Sequence, residues 1–148
     1  MDLILWRHAE AVDGIPDQAR ELTAKGHKQA AKAAAFLRLH LPDEHRMLVS
    51  PAVRTRQTAA ALSDHFTLAP TIAPGASVQS VLQAARWPDA GGTVLIVGHQ
   101  PTLGEVAAKL LGCDNGSLSI KKGALWWFSQ REDSPQVTLR VVVTPDFL

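Results

Sequence analysis

Thr93-Val94-Leu95-Ile96-Val97-Gly98-His99-Gln100-Pro101 is the stretch on which the reading of this chain turns. Its first five residues are uncharged, mostly β-branched and preceded by Gly91-Gly92, which makes them the clearest strand in the sequence. Pro101 then opens a helix with Leu103, Val106, Ala107, Leu110 and Leu111 along one side and Gly112 as its stop. A buried strand that feeds a helix is the building unit of a parallel α/β sheet.

The same alternation extends in both directions. Leu3-Ile4-Leu5-Trp6 is a short, continuous apolar run, as expected of a strand covered on both faces, and Met47-Leu48-Val49 is a second. Between them, Ala9 to Glu21 carries Gly14, Pro16 and several charges and reads as a loop. Thr23 can cap a helix that continues to about Leu41, with Ala30, Ala33, Ala34, Leu37 and Leu41 on its apolar side and Pro42 as its end. Ser50-Pro51 offers a capping hydroxyl and a proline suited to the first helical position, predicting a helix to about His65. Thr67 to Ala73 reads as an edge strand interrupted by Pro70, and Val78 to Arg86 as a helix. Ala124 to Phe128 and Val137 to Val143 read as a hairpin joined by the turn Arg131 to Pro135. The pattern predicts one domain over residues 1–148, a three-layer α/β sandwich with a mainly parallel sheet.

Composition narrows the function. Lys and Arg total 15 against 14 Asp and Glu, so no long-range field favours nucleic acid or an anionic membrane, and neither is expected as a partner. Any preference for phosphate must come from a few placed cations. Cys113 is the single cysteine, which excludes an intramolecular disulfide and a thiolate metal cluster. The start, Met-Asp-Leu-Ile-Leu-Trp-Arg-His, lacks the basic opening of a secretory signal and the run of roughly 20 apolar residues of a membrane helix, so a cytoplasmic location is expected.

Ligands of parallel sheets bind beyond the carboxyl ends of the strands. Here the first strand ends in Arg7-His8, the second leads into Ser50-Pro51-Ala52-Val53-Arg54-Thr55-Arg56-Gln57-Thr58, and the strongest ends in Gly98-His99-Gln100-Pro101. Each has an ordinary explanation alone: a surface Arg-His pair, a helix cap, a turn histidine bonded to a carbonyl. Together they place two histidines and at least two arginines at one sheet edge, which independent accidents would not produce. Arg54 projects from the first helical turn toward the strand end, whereas Arg56, two residues on, points some 200° away. Arg54 is the expected phosphate ligand.

These residues resemble the histidine phosphatase superfamily, which also contains the cofactor-dependent phosphoglycerate mutases. Arg7-His8, Ser50-Pro-x-x-Arg54-x-x-Gln57-Thr58 and Gly98-His99-x-Pro101 stand in consistent order from residue 3 to about 111, although the usual Arg-His-Gly reads Arg7-His8-Ala9. With Glu10-Ala11, Leu22-Thr23-x-x-Gly26 and a very short chain, the sequence is most similar to the SixA-type phosphohistidine phosphatases. The resemblance implies a phosphoglycerate mutase-like fold, His8 as a nucleophile that becomes phosphohistidine, and Arg7, Arg54 and His99 around the phosphoryl oxygens. It further implies attack by Nε2, with Nδ1–H held by a backbone carbonyl. Ser50, Asp17 and Arg20 join the candidate phosphate-binding set; for Asp17 and Arg20 a loop ion pair is the plainer reading. No metal and no cofactor is implied.

One departure bears on substrate. Many superfamily members carry a Glu or Asp after the third strand to protonate an alkoxide leaving group, but Ala73-Pro74-Gly75-Ala76-Ser77-Val78-Gln79-Ser80 has no carboxylate. General acid catalysis is worth roughly 10²–10⁴-fold, so an alcohol would leave poorly. An imidazole leaves readily once its other ring nitrogen is protonated, and the expected substrate is therefore phosphohistidine on a phosphotransfer or signalling protein. Glu10 and Asp17 are the candidate substitute proton donors. A phosphomonoesterase for small metabolites and a non-catalytic phosphate-binding module are the alternatives.

Overall fold

The computed structural model describes residues 1–113 and 116–148. Six strands form one sheet: β1 (Asp2–Arg7), β2 (Arg46–Val49), β3 (Thr67–Leu68), β4 (Thr93–Gly98), β5 (Leu125–Gln130) and β6 (Val137–Val143). Their order across the sheet is β3-β2-β4-β1-β5-β6. The pairs β3·β2, β2·β4 and β4·β1 are parallel, and the hairpin β5·β6 joins antiparallel to β1. Four helices flank it: α1 (Ala24–His40), α2 (Val53–Ala60), α3 (Val78–Ala85) and α4 (Thr102–Leu110). This is the expected mixed α/β fold.

The three layers follow from the period-2 alternation of strand side chains. Leu3 and Leu5 of β1, with Val94 and Ile96 of β4, face Val81 and Ala85 of α3 and Leu103, Val106 and Ala107 of α4. Ile4 and Trp6, with Leu95 and Val97, face Ala33, Ala34 and Leu37 of α1 and Ala59 of α2. Both faces of β1 and β4 are thus dry, which explains their unbroken apolar sequence. Each such large side chain taken from water contributes roughly 1.5–3 kcal/mol. Trp6 and Trp127 lie in the core, while half-buried Trp126 stacks on Phe128.

Three element boundaries differ from the sequence reading, each for a local reason. Ser50 does not cap α2, whose N-cap is Ala52; the Ser50 hydroxyl is engaged by His99 and only grazes the Ala52 amide at 3.5 Å. The helix stops at Ala60 rather than near His65, because the Ser63 hydroxyl takes the His65 amide into a local turn. β3 is only two residues long, since Pro70 opens a short 3₁₀ turn over Pro70–Ile72.

Candidate active site

The register of the parallel strands sets the site. Arg7 of β1 stands opposite Gly98 of β4, and Val49 of β2 opposite Val97. The ladder continues one step further: the His8 amide donates to the Gly98 carbonyl at 3.1 Å, and the Ser50 amide to the Val97 carbonyl at 3.1 Å. His8, Ser50 and His99 therefore emerge together at one sheet edge. The rings of His8 and His99 are 5.4 Å apart between centroids and tilted by 54°.

Both imidazoles are buried, with fixed orientations. His8 is 7% exposed, and its Nδ1 lies 2.7 Å from the Ala9 carbonyl oxygen. A carbonyl only accepts, so Nδ1 carries the proton and Nε2 keeps its lone pair. The Ala9 amide is itself tied to Thr58 Oγ1 at 3.0 Å, and that hydroxyl donates to the Arg54 carbonyl. Thr58 thereby couples the backbone beside His8 to α2, a role that its position four residues after Arg54 on one helix face makes intelligible. His99 Nε2 is 2.7 Å from Ser50 Oγ, and its Nδ1 is buried without a hydrogen-bond partner in the protein.

Two arginines complete the cluster. Arg54 is 4% exposed; its Nη1 donates to the Asp17 carbonyl at 2.9 Å and its Nη2 to the Asp17 carboxylate at 3.1 Å. Arg7 Nη1 donates to the Ile120 carbonyl at 2.9 Å. The Nε atoms of both are buried and have no partner in the protein. Buried N–H donors are almost always paired, so these two donors and the His99 Nδ1 stand out as polar groups without a partner in the protein. Arg20 holds the Asp17 loop from the other side, Nη1 to the Asp17 carboxylate at 3.0 Å and Nε to the Val12 carbonyl at 2.7 Å. Arg56 is exposed, as the helical geometry predicts.

This environment dictates protonation. Burial pushes His8 down to about 4, reinforced by the charges of Arg54 and Arg7 against the opposing pull of the Ala9 carbonyl. Burial, then the Arg54 charge, takes His99 to about 3. Both are neutral at physiological pH. The Arg20 hydrogen bond, with help from Arg54, holds the Asp17 carboxyl below the usual carboxylate range. Asp17, a candidate proton donor, is paired with two guanidinium groups, Arg20 at 3.0 Å and Arg54 at 3.1 Å. Glu10, the other candidate, accepts a hydrogen bond from Thr23 Oγ1 at 2.7 Å and tethers the start of α1.

Sequence reasoning missed several parts of the framework. Gln57 Oε1 takes the Leu22 amide at 2.7 Å. Gln100 bridges the Leu118 carbonyl and the Gly104 amide, fixing the segment whose Ile120 carbonyl holds Arg7. Gly26 explains the Leu-Thr-x-x-Gly pattern: a β-carbon there would lie 2.0 Å from the Glu10 carbonyl oxygen. The Ala73–Ser80 stretch packs beside the start of α4, with the Ala76 carbonyl accepting from Thr102 Oγ1 at 2.6 Å. No carboxylate enters the site from that side. Among the described residues no group of three or more His, Cys, Asp or Glu side chains is arranged to hold a metal ion. No described helix is long and apolar enough to cross a membrane.

A neutral imidazole with one buried and one half-buried arginine at the strand ends of an α/β sheet is an arrangement suited to a phosphohydrolase, and comparison with known proteins agrees. Residues 3–77 match the model of the histidine phosphatase superfamily (branch 1). The phosphohistidine phosphatase SixA homolog of Haemophilus influenzae is 34% identical over 131 residues, which span 78% of this chain and 80% of that protein. The phosphohistidine phosphatase SixA of Escherichia coli is 30% identical over 120 residues, 74% of each chain. The solved structure of the protein histidine phosphatase SixA complexed with tungstate has the same fold, with a TM-score of 0.82 and 24% identity over 99% of each chain. The chain belongs to the histidine phosphatase superfamily, in its SixA branch.

Proposed function

We propose that this phosphohydrolase removes the phosphoryl group from phosphohistidine on another protein, through a phosphohistidine intermediate on His8. The observation that carries the reading is that, among the described residues, each candidate acid near the well-placed nucleophile is engaged elsewhere. The Ala73–Ser80 loop lacks a carboxylate, Asp17 is held ionised, and Glu10 is tied to Thr23. An alkoxide would receive no proton, whereas an imidazole protonated on its distal nitrogen leaves as a neutral molecule.

The steps follow from the site. His8 Nε2 attacks phosphorus as the substrate's P–N bond breaks, and the substrate imidazole departs. Positive charge grows on the His8 ring, and the Nδ1–H hydrogen bond to the Ala9 carbonyl stabilises it. Arg7 and Arg54 Nε–H groups and His99 face the equatorial oxygens, where preorganised donors stabilise the spreading charge. Ser50 orients His99, and Asp17 with Arg20 orients Arg54, so these act as positioning residues. Water then attacks the phosphoenzyme, the P–Nε2 bond breaks, and the water proton leaves with inorganic phosphate.

Turnover of a phosphohistidine peptide compared with aryl and sugar phosphates tests the assignment. Higher kcat/KM on the P–N substrate is expected. A preference for the sugar phosphates would replace it with a small-molecule phosphomonoesterase.

A further inference from the structure

The near-neutral total charge conceals a concentration of cations next to the site. Five of the six lysines in the chain line one groove of about 630 Å³ that Arg7 also borders. Lys25, Lys28 and Lys32 stand three and four residues apart on one side of α1, and Lys121 and Lys122 face them from the segment before β5. All five are exposed.

Both walls are tied to the residues that follow the nucleophile. On one wall the Thr23 amide donates to the Glu10 carbonyl at 3.0 Å, and Glu10 N to Gln29 Oε1 at 2.9 Å. On the other, the Gly123 amide donates to the His8 carbonyl at 3.1 Å, and the Gly123 carbonyl accepts from Trp6 Nε1 at 3.0 Å. Gly123 has φ +76, and a β-carbon there would press on Pro145 and Gln29, so a glycine lets the two walls close on each other. The backbone that carries the lysines is therefore held at a fixed place relative to His8.

We propose that this groove docks an acidic surface of the substrate protein, flanking the phosphohistidine presented to His8; the proposal rests on the phosphohistidine reading above. Carboxylates are the favoured partners for three reasons. The cations are flexible point charges rather than the planar forks that suit phosphate bidentately. Arg7, the one arginine among the described residues of the groove, already donates to Ile120. Among the described residues that line the groove, none is an aromatic side chain on which a nucleic-acid base could stack.

The test uses short peptides with one phosphohistidine flanked either by Asp and Glu or by Ser. Rates are measured at low salt and divided by that for p-nitrophenyl phosphate, so that changes at the catalytic groups cancel. The parent enzyme should favour the acidic peptide about tenfold in kcat/KM, and added salt should erase the preference. Lys28→Glu/Lys32→Glu should abolish it, while Lys109→Glu/Arg131→Glu, equal in charge change but away from the groove, should retain it. Equal rates on the two peptides in the parent, or a preference that survives in the groove variant, would overturn the proposal. If neither phosphopeptide is cleaved while p-nitrophenyl phosphate is, the phosphohistidine reading fails, and binding of the unphosphorylated acidic peptide then decides the groove. Binding lost only in the groove variant sustains it; unchanged binding, or tighter binding of single-stranded DNA than of the peptide, overturns it.

Discussion

Arg54 grips Asp17 twice, through the backbone carbonyl at 2.9 Å and the carboxylate at 3.1 Å. Arg20 binds the same carboxylate at 3.0 Å. The pair orients a buried guanidinium, yet it also keeps a negative charge close to where phosphate would bind. Orientation and repulsion are separable by removing the charge while keeping an acceptor. Asp17→Asn should tighten inhibition by inorganic phosphate roughly two- to fivefold, a modest change because the carboxylate is half exposed. Weaker phosphate inhibition in the variant would show that the carboxylate serves orientation alone.

Arg54 itself should not tolerate replacement by lysine. The ammonium group retains charge but cannot span Asp17 while presenting an Nε–H toward the site. Arg54→Lys should lower kcat on p-nitrophenyl phosphate by about 10²–10³, the cost of one preorganised donor. A loss below tenfold would argue that charge alone suffices.

The two histidines give a pH test with a definite sign. His8 lies at about 4 and His99 at about 3, against an ordinary value of 6.5 that each regains on unfolding. Between those values the unfolded chain binds more protons than the folded one, so stability is full above pH 6.5 and falls as pH drops toward 3. Proton NMR of the ring resonances should show no titration of either histidine between pH 8 and 5.5. A midpoint near 6.5 for His8 would contradict the burial that keeps it neutral.

Gly26 tests the link between α1 and the nucleophile's loop. Alanine would normally favour a helix by about 1 kcal/mol over glycine. Here its β-carbon would sit 2.0 Å from a backbone oxygen that cannot yield easily. Gly26→Ala should lower stability by about 2–3 kcal/mol, or Tm by roughly 6–10 °C. An unchanged or higher Tm would mean the loop shifts freely.

Much of this was legible because the informative residues sit at the ends of strands. Strand β4 and its exit Gly98-His99-Gln100-Pro101 could be read directly, and the apolar runs of β1 and β2 placed Arg7, His8 and Arg54 at the same edge. What escaped notice depends on backbone carbonyls and on competition for one side chain. Ala9 and Ile120 hold His8 and Arg7 through main-chain oxygens, which every residue carries and no motif records. Ser50 looked like a helix cap because Ser-Pro usually is one, but a histidine just beyond β4, 49 residues away, claims its hydroxyl. The lysine groove escaped for the opposite reason: Lys28 and Lys32 lie off the apolar side of α1, and only the fold brings Lys121 and Lys122 to the same groove.

The central claim is that phosphate rests on His8 during turnover. Rapid quenching of the enzyme with a phosphohistidine peptide, followed by mass spectrometry at neutral and acid pH, measures it directly. One phosphoryl group on His8, stable in alkali, lost in acid and missing from His8→Asn, is the result expected. An enzyme that turns over at full rate with no such adduct, or with the adduct on another residue, would contradict the account.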